Sequence, residues 1–128
     1  MVTVVAALIQ TETGYLMGLR PPHKARGLTW EFVGGKVEAG ETPQQALQRE
    51  CQEELGVQVE VGPLFMESNH TYPDLSIHFQ LYHATITSGQ MQPLEHVELR
   101  YVPKSQLPDY ITAPEDAEIL HRLLQITE

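Results

Sequence analysis

The sequence G-K-V-E-A-G-E-T-P-Q-Q-A-L-Q-R-E-C-Q-E-E-L-G-V, residues 35–57, contains the start, the body and the end of one helix. Thr42 occupies the N-cap position, Pro43 the first helical position, and Gln45 completes a T-x-x-Q capping box. Gly56 supplies the left-handed conformation that commonly ends a helix. The stretch therefore predicts a glycine-rich turn that leads into a helix over residues 43–55.

The predicted helix has two chemically different faces. An apolar stripe recurs every four residues, at Leu47, Cys51 and Leu55. The spacing of Glu50, Glu53 and Glu54 places three carboxylates on a neighbouring face, at the rim of the core. Like charges crowded there repel, which raises carboxyl pKa values, and Mg²⁺ relieves the repulsion because it prefers carboxylate oxygens. The spacing alone leaves a solvated acidic helix face as the alternative.

The whole stretch matches the Nudix hydrolase box, G-x5-E-x7-R-E-U-x-E-E-x-G-U, where U is a bulky aliphatic residue. The matching positions are Gly35, Glu41, Arg49, Glu50, Glu53, Glu54, Gly56 and Val57. Cys51 stands at the first U position, where a larger aliphatic residue is usual. The chain thus resembles the Nudix family, in its MutT-like branch. The resemblance implies an α/β fold, the α/β/α sandwich of that family, with a mixed sheet between helices.

Composition limits the kind of protein. The chain has 128 residues, enough for one domain with a real core, which we expect to span residues 1–128. A net charge of −9 argues against a nucleic acid polymer as partner, although a small nucleotide remains compatible with local positive charge. The single cysteine excludes an internal disulfide. The apolar run at residues 2–9 lacks signal-peptide flanks and is too short for a bilayer, which predicts a cytoplasmic protein without membrane contact.

Hydrophobic patterning predicts seven further segments. Strands are expected at residues 2–9, 15–20, 28–33, 57–61 continuing at 64–66, 75–86 and 97–102, and a helix beginning at Pro114. Residues 69–74 are expected to form a loop, and Gly62-Pro63 to interrupt a strand. The C-terminal helix is expected to pack through Ala117, Leu120, Leu123 and Leu124. In the strand over residues 75–86, the polar row Ser76, His78, Gln80 and Tyr82 faces either a substrate cleft or water.

The resemblance also implies roles for individual residues. The metal ligands would be Glu50, Glu53 and Glu54, with the backbone carbonyl of Gly34. Arg49 would orient a glutamate through a salt bridge, and Glu41 would steady the junction of loop and helix. MutT-like enzymes add a carboxylate before the last strand, as ligand or base. Glu95 falls there, with Glu98 as its rival. The expected cofactor is Mg²⁺, with Mn²⁺ as an alternative.

The expected substrate is a nucleotide. Arg20 matches a phosphate-contacting arginine of MutT-like proteins, and Lys36 is a second phosphate candidate. Aromatic side chains, Trp30, Phe32 and Tyr82, either pack on a base or belong to the core.

Two hypotheses for the base remain open. The A-P-x-D pattern ending at Asp116 resembles relatives that act on CTP or modified dCTP, and its carboxylate could accept from a base amine. Alternatively, Gln80 helps to read an oxidised guanine, as in 8-oxo-dGTP. Both predict hydrolysis of a nucleoside triphosphate to the monophosphate and pyrophosphate, that is, sanitation of the nucleotide pool. The remaining alternatives are another nucleoside diphosphate derivative, such as a sugar nucleotide or dinucleoside polyphosphate, and a non-catalytic binding module.

Overall fold

The computed structural model describes residues 1–112 and 116–126, and those ranges contain seven strands and three α-helices. The strands are β1 (Val2–Leu8), β2 (Tyr15–Leu19), β3 (Trp30–Glu31), β4 (Gly34–Lys36), β5 (Gln58–Tyr72), β6 (Leu75–Ser88) and β7 (Glu98–Val102). The helices are α1 (Pro43–Leu55), α2 (Leu107–Tyr110) and α3 (Ala117–Gln125). A short 3₁₀ helix, Lys104–Gln106, precedes α2.

Two sheets form the centre of the fold. The first has the order β4-β1-β6-β5, in which β1 runs parallel to β6 and the other neighbours are antiparallel. The second has the order β3-β2-β7 and is antiparallel throughout. Helices flank the sheets, which confirms the predicted α/β class with mixed strand directions.

Strand β1 shows why its sequence is apolar at nearly every position. Val5 and Ala7 pack in one core cluster with Leu47, Cys51 and Leu55 of α1. Their neighbours Ala6 and Leu8 pack in a second cluster with Ile119 and Leu123 of α3. Because both faces of the strand are covered, alternation between polar and apolar residues is lost.

Helix α1 has the predicted bounds and caps. The side chain of Thr42 accepts from the Gln45 amide at 3.1 Å, and the Gln45 side chain accepts from the Thr42 amide at 2.9 Å. Gly56 ends the helix with φ of 71°, in the left-handed region. Burial raises the pKa of the Cys51 thiol to about 12, assisted by the nearby carboxylates of α1, so this thiol stays protonated and unreactive.

Several predicted boundaries are wrong. The expected loop at residues 69–74 is mostly strand, because β5 extends to Tyr72 and turns directly into β6. Gly62-Pro63 does not end the strand but coincides with a register shift between Val61 and Leu64. The structure adds β4 within the predicted glycine turn, and also α2. These short elements carry too few residues for a periodic signal.

Helix α3 packs through Leu123 and, in part, Leu120, as expected, but not through Ala117 or Leu124. Ile119 and Leu123 are buried, whereas Leu124 is 43% exposed and Ala117 is also exposed. The predicted helix start at Pro114 lies outside the described residues. Over the part of the chain that is described, no helix is long and apolar enough to span a membrane.

Candidate active site

Arg49 of α1 forms hydrogen bonds with several residues of the predicted site. Its guanidinium donates two hydrogen bonds to Glu41, Nε to Oε2 at 2.8 Å and Nη2 to Oε1 at 3.0 Å. Nη1 donates to Glu50 at 2.8 Å and lies 3.3 Å from Glu53, while Nη2 donates to the Lys36 carbonyl at 3.0 Å. The planar guanidinium carries several N–H donors that point in different directions, so one side chain can bind all these acceptors. These hydrogen bonds connect α1 with β4 and with the loop between them.

Glu54 occupies the driest position of the acidic face. It is 4% exposed, and its Oε2 atom has no hydrogen-bond partner among the described residues. Burial raises the pKa of Glu54, and a hydrogen bond to Glu50 together with the charges of Glu50, Glu95 and Glu31 raises it further. A buried carboxyl with an unsatisfied oxygen is costly unless a cation neutralises it.

These donors fit a hard divalent cation. The oxygens of Glu50 and Glu54 adjoin, and the Glu50 carboxyl lies against Gly35, where an added Cβ would come within 2.5 Å of its carboxyl carbon. Carboxylate oxygens are the ligands that Mg²⁺ prefers. Over residues 1–112 and 116–126 no three acidic, imidazole or thiol groups already form a coordination shell. The ligand set Glu50, Glu53 and Glu54 therefore stays a prediction.

The auxiliary carboxylates Glu95 and Glu98 have different surroundings. Glu95 lies in the segment before β7, where its charge acts on Glu54, and its Oε2 is 3.7 Å from the Lys24 ammonium. Glu98 lies on β7 and forms a close ion pair with Arg100. The arrangement favours Glu95 as the fourth carboxylate, although its role as ligand or base stays a prediction.

No sequence pattern indicated two further members of the site, His96 and Glu31. His96 is buried, and its Nε2 is 3.0 Å from Glu31 Oε2 and 3.8 Å from Glu54 Oε1. Burial opposes ionisation of Glu31, but hydrogen bonds from His96 and Arg20 outweigh it and lower the Glu31 pKa. These residues lie in separate segments of the chain, so only the E-H pair beside Glu95 could have drawn attention to His96.

A cavity of about 370 Å³ adjoins this cluster on the α3 side of the sheet. Its wall contains four of the predicted substrate residues, Arg20, Phe32, Lys36 and Asp116, together with the predicted ligand Gly34. Trp30 and Tyr110 add an aromatic surface, with ring centroids 5.1 Å apart. Arg20 is already paired there, since Nη1 donates to Glu31 at 2.8 Å.

Gln80 is placed differently from the prediction. The side chains of β6 that line the cavity are Ile77 and Phe79, whereas Gln80 shares the opposite face with Tyr82. Its amide nitrogen lies 3.5 Å from Glu67, and its oxygen accepts from the Tyr82 hydroxyl at 3.2 Å. Gln80, which was predicted to bind substrate, therefore does not line this cavity, and of the two possibilities for Tyr82 the structure shows core packing, on the α1 side.

The chain is similar to several known proteins. A family model described as the NUDIX domain matches residues 1–123. The CTP pyrophosphohydrolase of Escherichia coli K12 is 33% identical over 98% of this chain and 93% of its own length. The 8-oxo-dGTP diphosphatase of Haemophilus influenzae is 34% identical over the same shares. The solution structure of the E. coli ORF135 protein superimposes with a TM-score of 0.82, at 33% identity, over 97% of this chain and 89% of that one.

Proposed function

This chain belongs to the NUDIX family and is a pyrophosphohydrolase, and from that premise we propose that its substrate is a nucleoside triphosphate of the cytosine type, CTP or a modified dCTP. The products would be the nucleoside monophosphate and pyrophosphate, which makes nucleotide-pool sanitation its role. The observation that supports this choice is the position of Asp116 in the cavity wall, with Gln80 on the far face of β6.

The base assignment rests on hydrogen-bond complementarity. Cytosine carries an exocyclic amine that donates, and a carboxylate such as that of Asp116 only accepts. Uracil lacks this donor, so the hydrogen bond from the base to the carboxylate would be lost. A hydrogen bond to a charged group contributes about 1.5–3 kcal/mol, so we expect roughly ten- to a hundredfold discrimination between CTP and UTP. Trp30 and Phe32 of the cavity wall offer apolar surface for the base.

The triphosphate would extend from the cavity toward α1. Lys36 and the glycines of β4 line the cavity, and Gly35 also lies beneath the Glu50 carboxyl, so β4 is shared by both parts of the site. Arg20 and Lys36 are the proposed phosphate contacts, because a guanidinium or ammonium group neutralises phosphate oxygens. Arg20 would exchange part of its contact with Glu31 for a phosphate oxygen.

We propose Glu50, Glu53, Glu54 and Glu95, with the Gly34 carbonyl, as holders of Mg²⁺, for which Mn²⁺ is a chemically similar substitute. The cation supplies charge neutralisation for the phosphates and acidifies a water. Arg49 fixes Glu50 through its 2.8 Å hydrogen bond, so that this carboxylate needs little reorganisation during the reaction. Glu95 lies on an irregular segment and is the candidate base that takes the proton of the attacking water.

A second candidate substrate is 8-oxo-dGTP. It is favoured by the similarity to the Haemophilus influenzae 8-oxo-dGTP diphosphatase, which is 34% identical to this chain, against 33% for the Escherichia coli CTP pyrophosphohydrolase. With Gln80 on the other face, an oxidised guanine would be read through backbone groups of the cavity wall instead.

Substrate kinetics with Asp116→Ala distinguish the two candidates. We would measure pyrophosphate release from dCTP, 5-methyl-dCTP, dUTP, dGTP and 8-oxo-dGTP with Mg²⁺. The cytosine proposal predicts that kcat/KM for dCTP falls roughly ten- to a hundredfold, while the rate with dUTP changes little. Asp109→Ala is the matched control, because Asp109 is an exposed aspartate of α2. A strong preference for 8-oxo-dGTP that survives Asp116→Ala would reject the cytosine proposal.

A further inference from the structure

A continuous chain of polar side chains connects the cavity wall with the acidic face of α1. Arg20 Nη1 donates to Glu31 Oε1 at 2.8 Å, and Glu31 Oε2 lies 3.0 Å from His96 Nε2. The same His96 nitrogen lies 3.8 Å from Glu54 Oε1. His96 therefore stands between a carboxylate of the cavity wall and the most buried carboxylate of the helix.

The imidazole of His96 is held in a tight space. Its side chain is only 2% exposed, and Nδ1 finds no hydrogen-bond partner within the described parts of the chain. Gly18 of β2 lies directly beneath the ring, where an added Cβ would come within 2.5 Å of Cδ2. A polar ring kept in a dry site at this cost is more consistent with a functional contact than with simple filling of the core.

The direction of the hydrogen bond follows from chemistry. An ionised carboxylate only accepts hydrogen bonds, so the proton shared with Glu31 is carried by His96 Nε2. That N–H points to Glu31 and lies close enough to Glu54 to attract its Oε1 atom electrostatically. One donor thus acts on two carboxylates that belong to β3 and α1.

We propose that His96 is a positioning residue for the hydrolysis, whose Nε2–H fixes the carboxylates of Glu31 and Glu54 relative to each other. The inference rests on the proposed function, because it takes Glu54 to be one of the groups that hold the divalent cation. Partners that orient a metal-binding carboxylate typically change metal affinity or activity by about 10- to 100-fold when they are removed. His96 would in this way join the substrate cavity and the acidic face of α1 in a single arrangement.

Two substitutions at His96 separate hydrogen bonding from packing. His96→Leu fills similar space without a donor, whereas His96→Gln places an amide N–H in the direction of the lost Nε2–H. The matched control is His83→Leu, since His83 is exposed and stacks edge-on against Phe65 with ring centroids 5.4 Å apart. For each protein we would measure the Mn²⁺ dissociation constant without nucleotide, by electron paramagnetic resonance of free Mn²⁺, together with Tm, kcat and KM.

We expect His96→Leu to weaken Mn²⁺ binding by about 10- to 100-fold and to lower kcat similarly, with a smaller change in KM. His96→Gln should recover part of both losses, and His83→Leu should match the wild type. Gly18→Ala provides a second route, because it displaces the imidazole without removing it and should also weaken Mn²⁺ binding.

Unchanged Mn²⁺ affinity in His96→Leu, or in Gly18→Ala if the first variant does not fold, would overturn the inference. Equal losses in the Leu and Gln variants with a large fall in Tm would also overturn it, since packing alone explains them. A wild-type protein that neither binds Mn²⁺ nor releases pyrophosphate would instead reject the proposed function. The two failures are therefore distinguishable.

Discussion

At the scale of single residues, the site combines groups that are individually unfavourable. Glu54 is a buried carboxyl with raised pKa, and Glu31 is a half-buried carboxylate whose pKa is lowered by two hydrogen-bond donors against the opposing effect of burial. Titratable groups with shifted pKa values concentrate at functional sites, because catalytic groups need pKa values matched to their task. We therefore expect substitutions at these residues to change activity and stability to different extents.

Glu54→Gln is expected to lower kcat by about 100-fold or more, since it removes charge that holds the cation. The Tm of the metal-free protein should be unchanged or higher, because a neutral amide avoids the repulsion by Glu50, Glu95 and Glu31. Pyrophosphate release and calorimetry measure the two effects. Glu53→Gln is the control, with lost activity but little change in Tm, as Glu53 is exposed. Wild-type rates of Glu54→Gln at saturating Mg²⁺ would disprove its assignment as a ligand.

Arg20→Ala should raise KM at low ionic strength and also reduce stability in a pH-dependent manner. The Glu31 pKa is lowered in the folded protein, so its ionised form stabilises the fold above the unfolded pKa, and this contribution is lost as pH falls through the folded pKa. Without Arg20, we expect a loss of about 1–2 kcal/mol at pH 7 that shrinks below about pH 4.

Urea unfolding at several pH values tests the Arg20 prediction. Arg122→Ala is a suitable control, because Arg122 and Glu118 form an exposed pair on α3 whose contribution should be below about 1 kcal/mol. A stability difference for Arg20→Ala that is the same at every pH would contradict the coupling to Glu31.

At the scale of elements, β4 connects the sheet with the acidic helix through two adjacent glycines. An added Cβ at Gly34 would meet the Val5 carbonyl oxygen of β1 at 1.9 Å, which is rigid backbone. At Gly35 it would meet the Glu50 carboxyl, the end of a flexible side chain. Substitution of Gly34 should therefore destabilise the fold, whereas substitution of Gly35 should disturb the site.

Gly34→Ala is expected to cost about 3 kcal/mol or more in free energy of unfolding, since β1 and β4 must separate. Gly35→Ala should cost less than about 1 kcal/mol, yet lower kcat by about tenfold or more, because it displaces Glu50. Urea unfolding and steady-state kinetics of both variants, each serving as the other's control, measure this contrast. If Gly35→Ala kept full activity, the Glu50 carboxyl would not need its observed position.

At the scale of the whole molecule, two core clusters on opposite faces of the sheet support different parts of the site. The cluster on the α1 side orients the carboxylates, and the cluster on the α3 side supports the cavity wall. The site therefore depends on the docking of both helices against β1, which contributes to both clusters. A substitution that disturbs the packing of α3 should therefore weaken substrate binding more than metal binding.

Leu123→Ala should destabilise the protein by about 2–5 kcal/mol, because Leu123 is fully buried. It should also raise KM, since α3 contributes Ile119 to the cavity wall, while Mn²⁺ affinity changes little. The neighbouring Leu124→Ala is the control, because Leu124 is 43% exposed and should change stability by less than about 0.5 kcal/mol. A similar loss of stability in both variants would mean that α3 packs through another face.

The sequence by itself determined features that depend on neighbours within a few residues. The caps and bounds of α1, the common face of its glutamates and the apolar run of β1 follow from local geometry, and the structure confirms them. The motif in residues 35–57 also identified the family, because its positions lie on one turn and one helix.

Only the tertiary structure decided how distant segments meet. Period-two alternation in β6 shows that Ile77 and Phe79 share a face, but not that this face, instead of the face with Gln80, borders the cavity. That choice depends on the pairing of β6 with β1, in which Val2 lies opposite Ile77. Glu31 and His96 are 65 residues apart, and their contact exists because β2 pairs with both β3 and β7. No local hydrogen-bond pattern encodes such a meeting, which arises from chain closure and strand registration.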